Sequence, residues 1–154
     1  MIAFTLNGAP VRIDAPGFAP LSDTLREGLG LTGTKVGCEA GDCGACTILL
    51  DGQQACACLV PTAQAEGASV TTIEADDPLL ARLRLSFLAH GAAQCGICSP
   101  GMIMAAAALL RRDASPTRDA VADAIGGVLC RCTGYLKIID AVMDAAPSLP
   151  AAPA

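Results

Sequence analysis

Nine cysteines in 154 residues restrict this chain more than any other feature, because so many thiols must be paired, coordinated or buried. An odd count fits poorly with a complete set of disulfides, which leaves metal ligation as the first reading. Size points the same way. A chain of this length forms one ordinary domain or two small ones, and domains near the lower limit draw stability from metals or partner surface. Although 53% of the residues are hydrophobic, there are three Phe, one Tyr and no Trp. The core is therefore built of Ala, Leu, Val and Ile, whose small side chains each bury little area.

In the first half Cys38, Cys43, Cys46 and Cys58 are separated by four, two and eleven residues, the plant-type spacing for a [2Fe–2S] cluster. A loop wrapped around such a cluster must turn tightly and aim amide N–H groups at sulfur. Gly37, Gly41 and Gly44 supply the backbone freedom and close approach this needs. Cys56 is a second candidate for the fourth ligand, since alternation along a strand puts Cys56 and Cys58 on one face; periodicity does not choose between them. A zinc site or buried free thiols would be the plainer explanation. Zinc ribbons, however, pair two CxxC knuckles, and only Cys43–Cys46 forms one here. The second half holds Cys95 and Cys98, then Cys130 and Cys132, with 31 residues between the inner pair. Taken alone, that CxxC plus CxC is only moderately specific, and zinc is the minority alternative.

Hydrophobic periodicity divides the chain near residue 75. Before it, Ile2, Phe4 and Leu6 alternate with polar neighbours, Asn7–Gly8 is a hairpin turn, and Val11 and Ile13 continue on the returning strand. Ser22 or Asp23 is placed to cap a short helix whose Leu21, Leu25 and Leu29 face a core. A second hairpin is expected from Thr47 to Leu50, turning at Asp51–Gly52 and returning from Gln53 to Val60, with Ser69 to Ile73 closing the half. After residue 75 the period becomes helical. Asp77–Pro78, Ser99–Pro100 and Ser115–Pro116 read as helix starts, ahead of Leu80–Phe87, Met102–Arg112 and Val121–Leu129, and a last helix runs from about Tyr135 to Ala145. The fold class is α+β. Its domains are residues 1–75, residues 76–146 forming a small helical bundle, and a Pro/Ala tail of residues 147–154.

Several functions are excluded or set aside. A formal net charge of −5 argues against nucleic acid as a partner. The longest apolar run, Met102–Leu110, is too short to cross a bilayer. The opening residues lack the basic and apolar regions of an export signal, so the expected location is cytoplasmic. Arg82, Arg84, Arg111, Arg112 and Arg118 read as solvated helix faces. Gly28, Gly30 and Gly33 match GxGxxG, but no strand precedes and no helix follows. Lys35 lacks the Walker A context. His90 is the sole histidine and reads as a partly buried helix end; a Rieske site needs two. No catalytic triad or paired-carboxylate site is evident.

The motifs GTKVGCEAGDCGACTILLDG, QCGICSPGM and CRCTGY, in that order, resemble the iron–sulfur subunit or domain of the xanthine oxidase family of molybdenum hydroxylases, over about residues 2–145. The resemblance implies a β-grasp, ferredoxin-like domain followed by a four-helix bundle, each with one [2Fe–2S] cluster. It implies Cys38, Cys43, Cys46 and Cys58 as ligands of the first, preferring Cys58 and leaving Cys56 as a small buried hydrophobe. It implies Cys95, Cys98, Cys130 and Cys132 as ligands of the second, with Gln94 contacting molybdopterin held by a large subunit. FAD on a medium subunit, or a cytochrome in its place, would be the acceptor, in a heterotrimer or dimer of heterotrimers. Two departures stand out: Gly126–Gly127–Val128 precedes Leu129 where relatives commonly carry Asn, and Ser99 stands where Thr is common. The expected function is electron transfer, with no substrate chemistry on this chain and an N-heterocycle, aldehyde or similar substrate oxidised elsewhere. The rival expectation is a free-standing ferredoxin-like carrier, which would need one cluster and little apolar surface.

Overall fold

The two hairpins form where local chemistry dictates. Asn7–Gly8 and Asp51–Gly52 all have positive φ, the requirement of a two-residue turn matching strand twist. They join β1 (Ile2–Leu6) to β2 (Ala9–Ile13) and β3 (Thr47–Leu50) to β4 (Gln53–Cys56). With β5 (Ser69–Thr71) these make a five-stranded sheet in the order β2-β1-β5-β3-β4. β5 lies parallel to β1 and antiparallel to β3. In this computed structural model residues 1–146 are described; the expected tail, residues 147–154, lies outside them.

A short helix, α1 (Leu21–Asp23), continues as a π turn over Thr24–Gly28. Its Leu21 and Leu25 are fully buried with Ile2, Phe4, Ile48 and Val70, and Leu29 packs at the edge of that cluster. The expected cap is corrected: Pro20 occupies the N-cap position, with no side-chain cap bond, and the Ser22 hydroxyl bonds Asp23 instead. The second hairpin is also shorter than expected, because its strand stops at Cys56 and Ala57–Leu59 turn away.

Four helices follow: α2 (Pro78–Ala89), α3 (Ser99–Arg112), α4 (Arg118–Ile125) and α5 (Leu136–Ala145). Asp77 caps α2 by accepting from Leu79 and Leu80 N–H at 2.8 and 3.0 Å. The other starts differ from the expectation. Ser99 already lies inside α3, with Cys98 as its N-cap. Thr117, not Ser115, caps α4 by accepting from Ala120 N–H, and α4 ends at Ile125 before the glycine pair. Arg111 and Arg118 lie exposed as expected and pair with Asp77 and Asp140, each at 2.7 Å, whereas Arg84 is partly buried and donates to the Ile73 and Ala75 carbonyls.

The two halves have separate apolar cores that meet at β3. Ile48 faces the first cluster of apolar side chains, whereas its neighbour Leu49 is buried among the helical residues of the second. α3 lies between β3 and the other helices, and every residue from Gly101 to Leu110 is buried. A helix apolar on all sides has no other stable place. Its alanines let the sheet approach closely, and a Cβ at Gly101 would stand 2.6 Å from the Gly44 carbonyl oxygen.

Candidate metal centres

The first group of thiols hangs on a loop and one turn. Between α1 and β3 the backbone takes positive φ at Glu39, Gly41 and Gly44, curling the chain so that its amides face inward. Ala40 and Cys43 N–H both donate to Cys38 Sγ at 3.4 Å. These donors stabilise the thiolate and lower the Cys38 pKa to about 7. The thiols associate in pairs, Cys38 with Cys43 on the exposed side and Cys46 with Cys58 beneath. Burial pushes Cys46 up, and burial followed by the contact with Cys46 pushes Cys58 up to about 11. Thiols so placed ionise readily only against a cation.

Cys58 sits in the turn after β4, so the alternation argument that placed it on one strand face with Cys56 does not hold. The two thiols nevertheless lie close together, and each borders Cys46. Cys56 is partly buried rather than sealed in the core, its Sγ 3.8 Å from the Gly41 carbonyl oxygen.

The second group is assembled from two loops, one leading into α3 and one linking α4 to α5. Cys132 Sγ donates to Cys95 Sγ at 3.5 Å on the exposed side, which raises the Cys132 pKa, while the Ile97 N–H lowers that of Cys95. Beneath them Cys98 and Cys130 are in contact, and burial pushes Cys98 up to about 12. All four line one cavity of about 210 Å³, together with Ile97, Leu129 and Arg131. Gln94 is exposed beside it, and its Nε2 donates to the Cys132 carbonyl at 3.1 Å.

Two residues without a role in the sequence reading stand on this loop. The Thr133 hydroxyl meets Cys130 Sγ at 3.1 Å, and Tyr135 Oη accepts from Cys130 N–H at 2.8 Å. The available signal was a hydroxyl residue directly after Cys132 and the chain's one tyrosine two positions later. The two cysteine loops also touch: Leu129 N–H donates to the Cys43 carbonyl at 2.9 Å, which joins the residue before Cys130 to Cys43 itself.

Residues 4–69 match the family described as "2Fe-2S iron-sulfur cluster binding domain", and residues 69–143 match the "[2Fe-2S] binding domain". The nicotine 6-hydroxylase small subunit of Paenarthrobacter nicotinovorans is 45% identical over 141 residues, 91% of this chain and 86% of that one. The chain belongs to the small iron–sulfur subunits of the xanthine dehydrogenase and aldehyde oxidoreductase family of molybdenum hydroxylases. This iron–sulfur subunit is also 48% identical over 147 residues to the aldehyde oxidoreductase of Megalodesulfovibrio gigas, matching 92% of itself but 16% of that longer protein. Among solved structures, quinoline 2-oxidoreductase from Pseudomonas putida 86 superposes with a TM-score of 0.89 at 47% identity, covering 94% of this chain and 91% of that one. The subunit is thus part of an oxidoreductase. Among the described residues no helix is long and apolar enough to cross a membrane.

Proposed function

We propose that this subunit holds one [2Fe–2S] cluster on Cys38, Cys43, Cys46 and Cys58 and a second on Cys95, Cys98, Cys130 and Cys132. The observation that carries the reading is the meeting of eight thiols in four pairs, in each group an outer pair with an exposed thiol and an inner pair with a buried one. A [2Fe–2S] rhomb needs two thiolates on each iron, and pairs fit it. When bound, the clusters supply one-electron stations between molybdopterin on a large subunit and FAD, or a cytochrome, on another subunit of a heterotrimer or dimer of heterotrimers. Residues 1–75 then act as a β-grasp unit and residues 76–146 as a four-helix bundle, in a cytoplasmic complex oxidising an N-heterocycle, an aldehyde or a similar substrate.

The chain's own contribution is to fix both sites at a set separation. The Cys43–Leu129 backbone bond and the packing of α3 on β3 make the halves one unit. Ile97 and Leu129, each more than half exposed where they line the cavity of the second group, give it an apolar rim that favours permanent docking over a diffusing carrier. Co-elution with large and medium subunits on purification is the expected result; intact clusters on a subunit that elutes alone would support the carrier. Iron without labile sulfide, or zinc without iron, would overturn the cluster assignment.

Two substitutions test the site. Cys56→Ala should leave both clusters assembled, because the four paired thiols of the first group remain, whereas Cys58→Ala should abolish the first; iron and sulfide analysis of the complex separates the two. Gln94 uses one amide N–H on the Cys132 carbonyl, which leaves its second N–H and its Oε1 for the pterin. Gln94→Ala should slow reduction of the clusters by substrate while leaving their reduction by dithionite unchanged. Unaltered substrate reduction would remove Gln94 from the cofactor contact.

A further inference from the structure

A closed ring of hydrogen bonds surrounds one thiol of the second group. Cys130 N–H donates to Tyr135 Oη at 2.8 Å, Tyr135 N–H donates to Thr133 Oγ1 at 3.2 Å, and Thr133 Oγ1 donates to Cys130 Sγ at 3.1 Å. A thiolate has no proton to give, so once Cys130 is ionised the Thr133 hydroxyl is the donor of the last bond while its oxygen accepts from the Tyr135 amide. Tyr135 adopts φ +69, a left-handed conformation uncommon for a non-glycine residue, and it is held there with both its N–H and its hydroxyl engaged.

We propose that Thr133 raises the reduction potential of the second cluster through its hydroxyl on Cys130, with Tyr135 as the positioning residue that aims it. The inference rests on the ligand assignment above. Reduction adds one electron and so one negative charge to the cluster and its thiolates. A hydroxyl donor on a thiolate stabilises the more negative state and shifts the couple upward. Hydrogen bonds to ionised groups are the strong class, and a threonine hydroxyl cannot be replaced in this role by a methyl group.

The test is a potentiometric titration of the whole complex, following the paramagnetic signals of the two reduced clusters. The signal that survives Cys43→Ser identifies the second cluster. In Thr133→Val its midpoint should fall, by about 59 mV for a tenfold weaker one-electron reduction, while the other midpoint stays in place. Thr133→Ser, which keeps the hydroxyl, should restore it. If Thr133→Val does not load the cluster, Thr133→Ala removes the same donor without the branch and is read in the same way. An unmoved midpoint, an equal fall in Thr133→Ser, or a shift confined to the signal lost in Cys43→Ser would each overturn the role of Thr133 with the ligand assignment intact. A single cluster signal in the unmodified complex would overturn both.

Discussion

Cys43→Ser is expected to abolish one of the two paramagnetic signals of the reduced complex and to leave the other, with about half of the iron and sulfide lost. Serine oxygen is a poor substitute for thiolate toward soft iron–sulfur centres, and Cys43 is paired with Cys38 in the outer half of the first site. Metal-binding free energy is also folding free energy in small domains, so the variant should melt at a lower temperature than the intact protein. Survival of both signals would show that Cys43 is not a ligand. Loss of both would show that the loops depend on each other for assembly, through the bond from Leu129 to the Cys43 carbonyl.

The second large effect belongs to Gly44→Ala. A Cβ at Gly44 would lie 2.1 Å from the Gly127 carbonyl oxygen, on a residue whose φ is +66. Neither neighbour is the end of a flexible side chain, so the two halves must separate or the cysteine loop must rearrange. The backbone conformation costs about 1–2 kcal/mol and overpacking about 1–3 kcal/mol more, roughly 2–5 kcal/mol together. Gly52→Ala is the matched control: its φ is +79, but nothing lies within 4 Å of the added carbon. It should cost only the conformational part. Denaturation of the cluster-loaded protein measures both, and equal losses in the two variants would remove the steric contact from the explanation.

Features set within a few residues of one another were legible from the amino acids alone. Both hairpin turns, the Asp77–Pro78 helix start and the buried stripe of Leu80, Leu83 and Phe87 occur as the local pattern requires. The misreadings have a common origin in longer-range packing. Ser99 and Ser115 resemble caps, but the loop carrying Cys98 feeds directly into α3, and Thr117 competes successfully for α4. Alternation through Cys58 failed because β4 has a partner only as far as Cys56, which pairs with Thr47 at the start of β3. Arg84 looks like surface charge until the segment before α2 brings the Ile73 and Ala75 carbonyls to it.

By itself the sequence determined the number of thiols, their spacing and the tight backbone between them, because a loop of a few residues has its reach set by covalent geometry. It also determined the change from strand to helix near residue 75, since period is a local property. Only the tertiary structure decided that Thr47, Ile48 and Leu49 are buried in succession, that α3 is buried on every side from Gly101 to Leu110, and that Gly44 meets Gly127. The pairing of Cys98 with Cys130 and the ring through Thr133 and Tyr135 were decided there as well. Contacts across dozens of residues depend on which surfaces remain to be buried once every element has formed, and no short window of sequence contains that information.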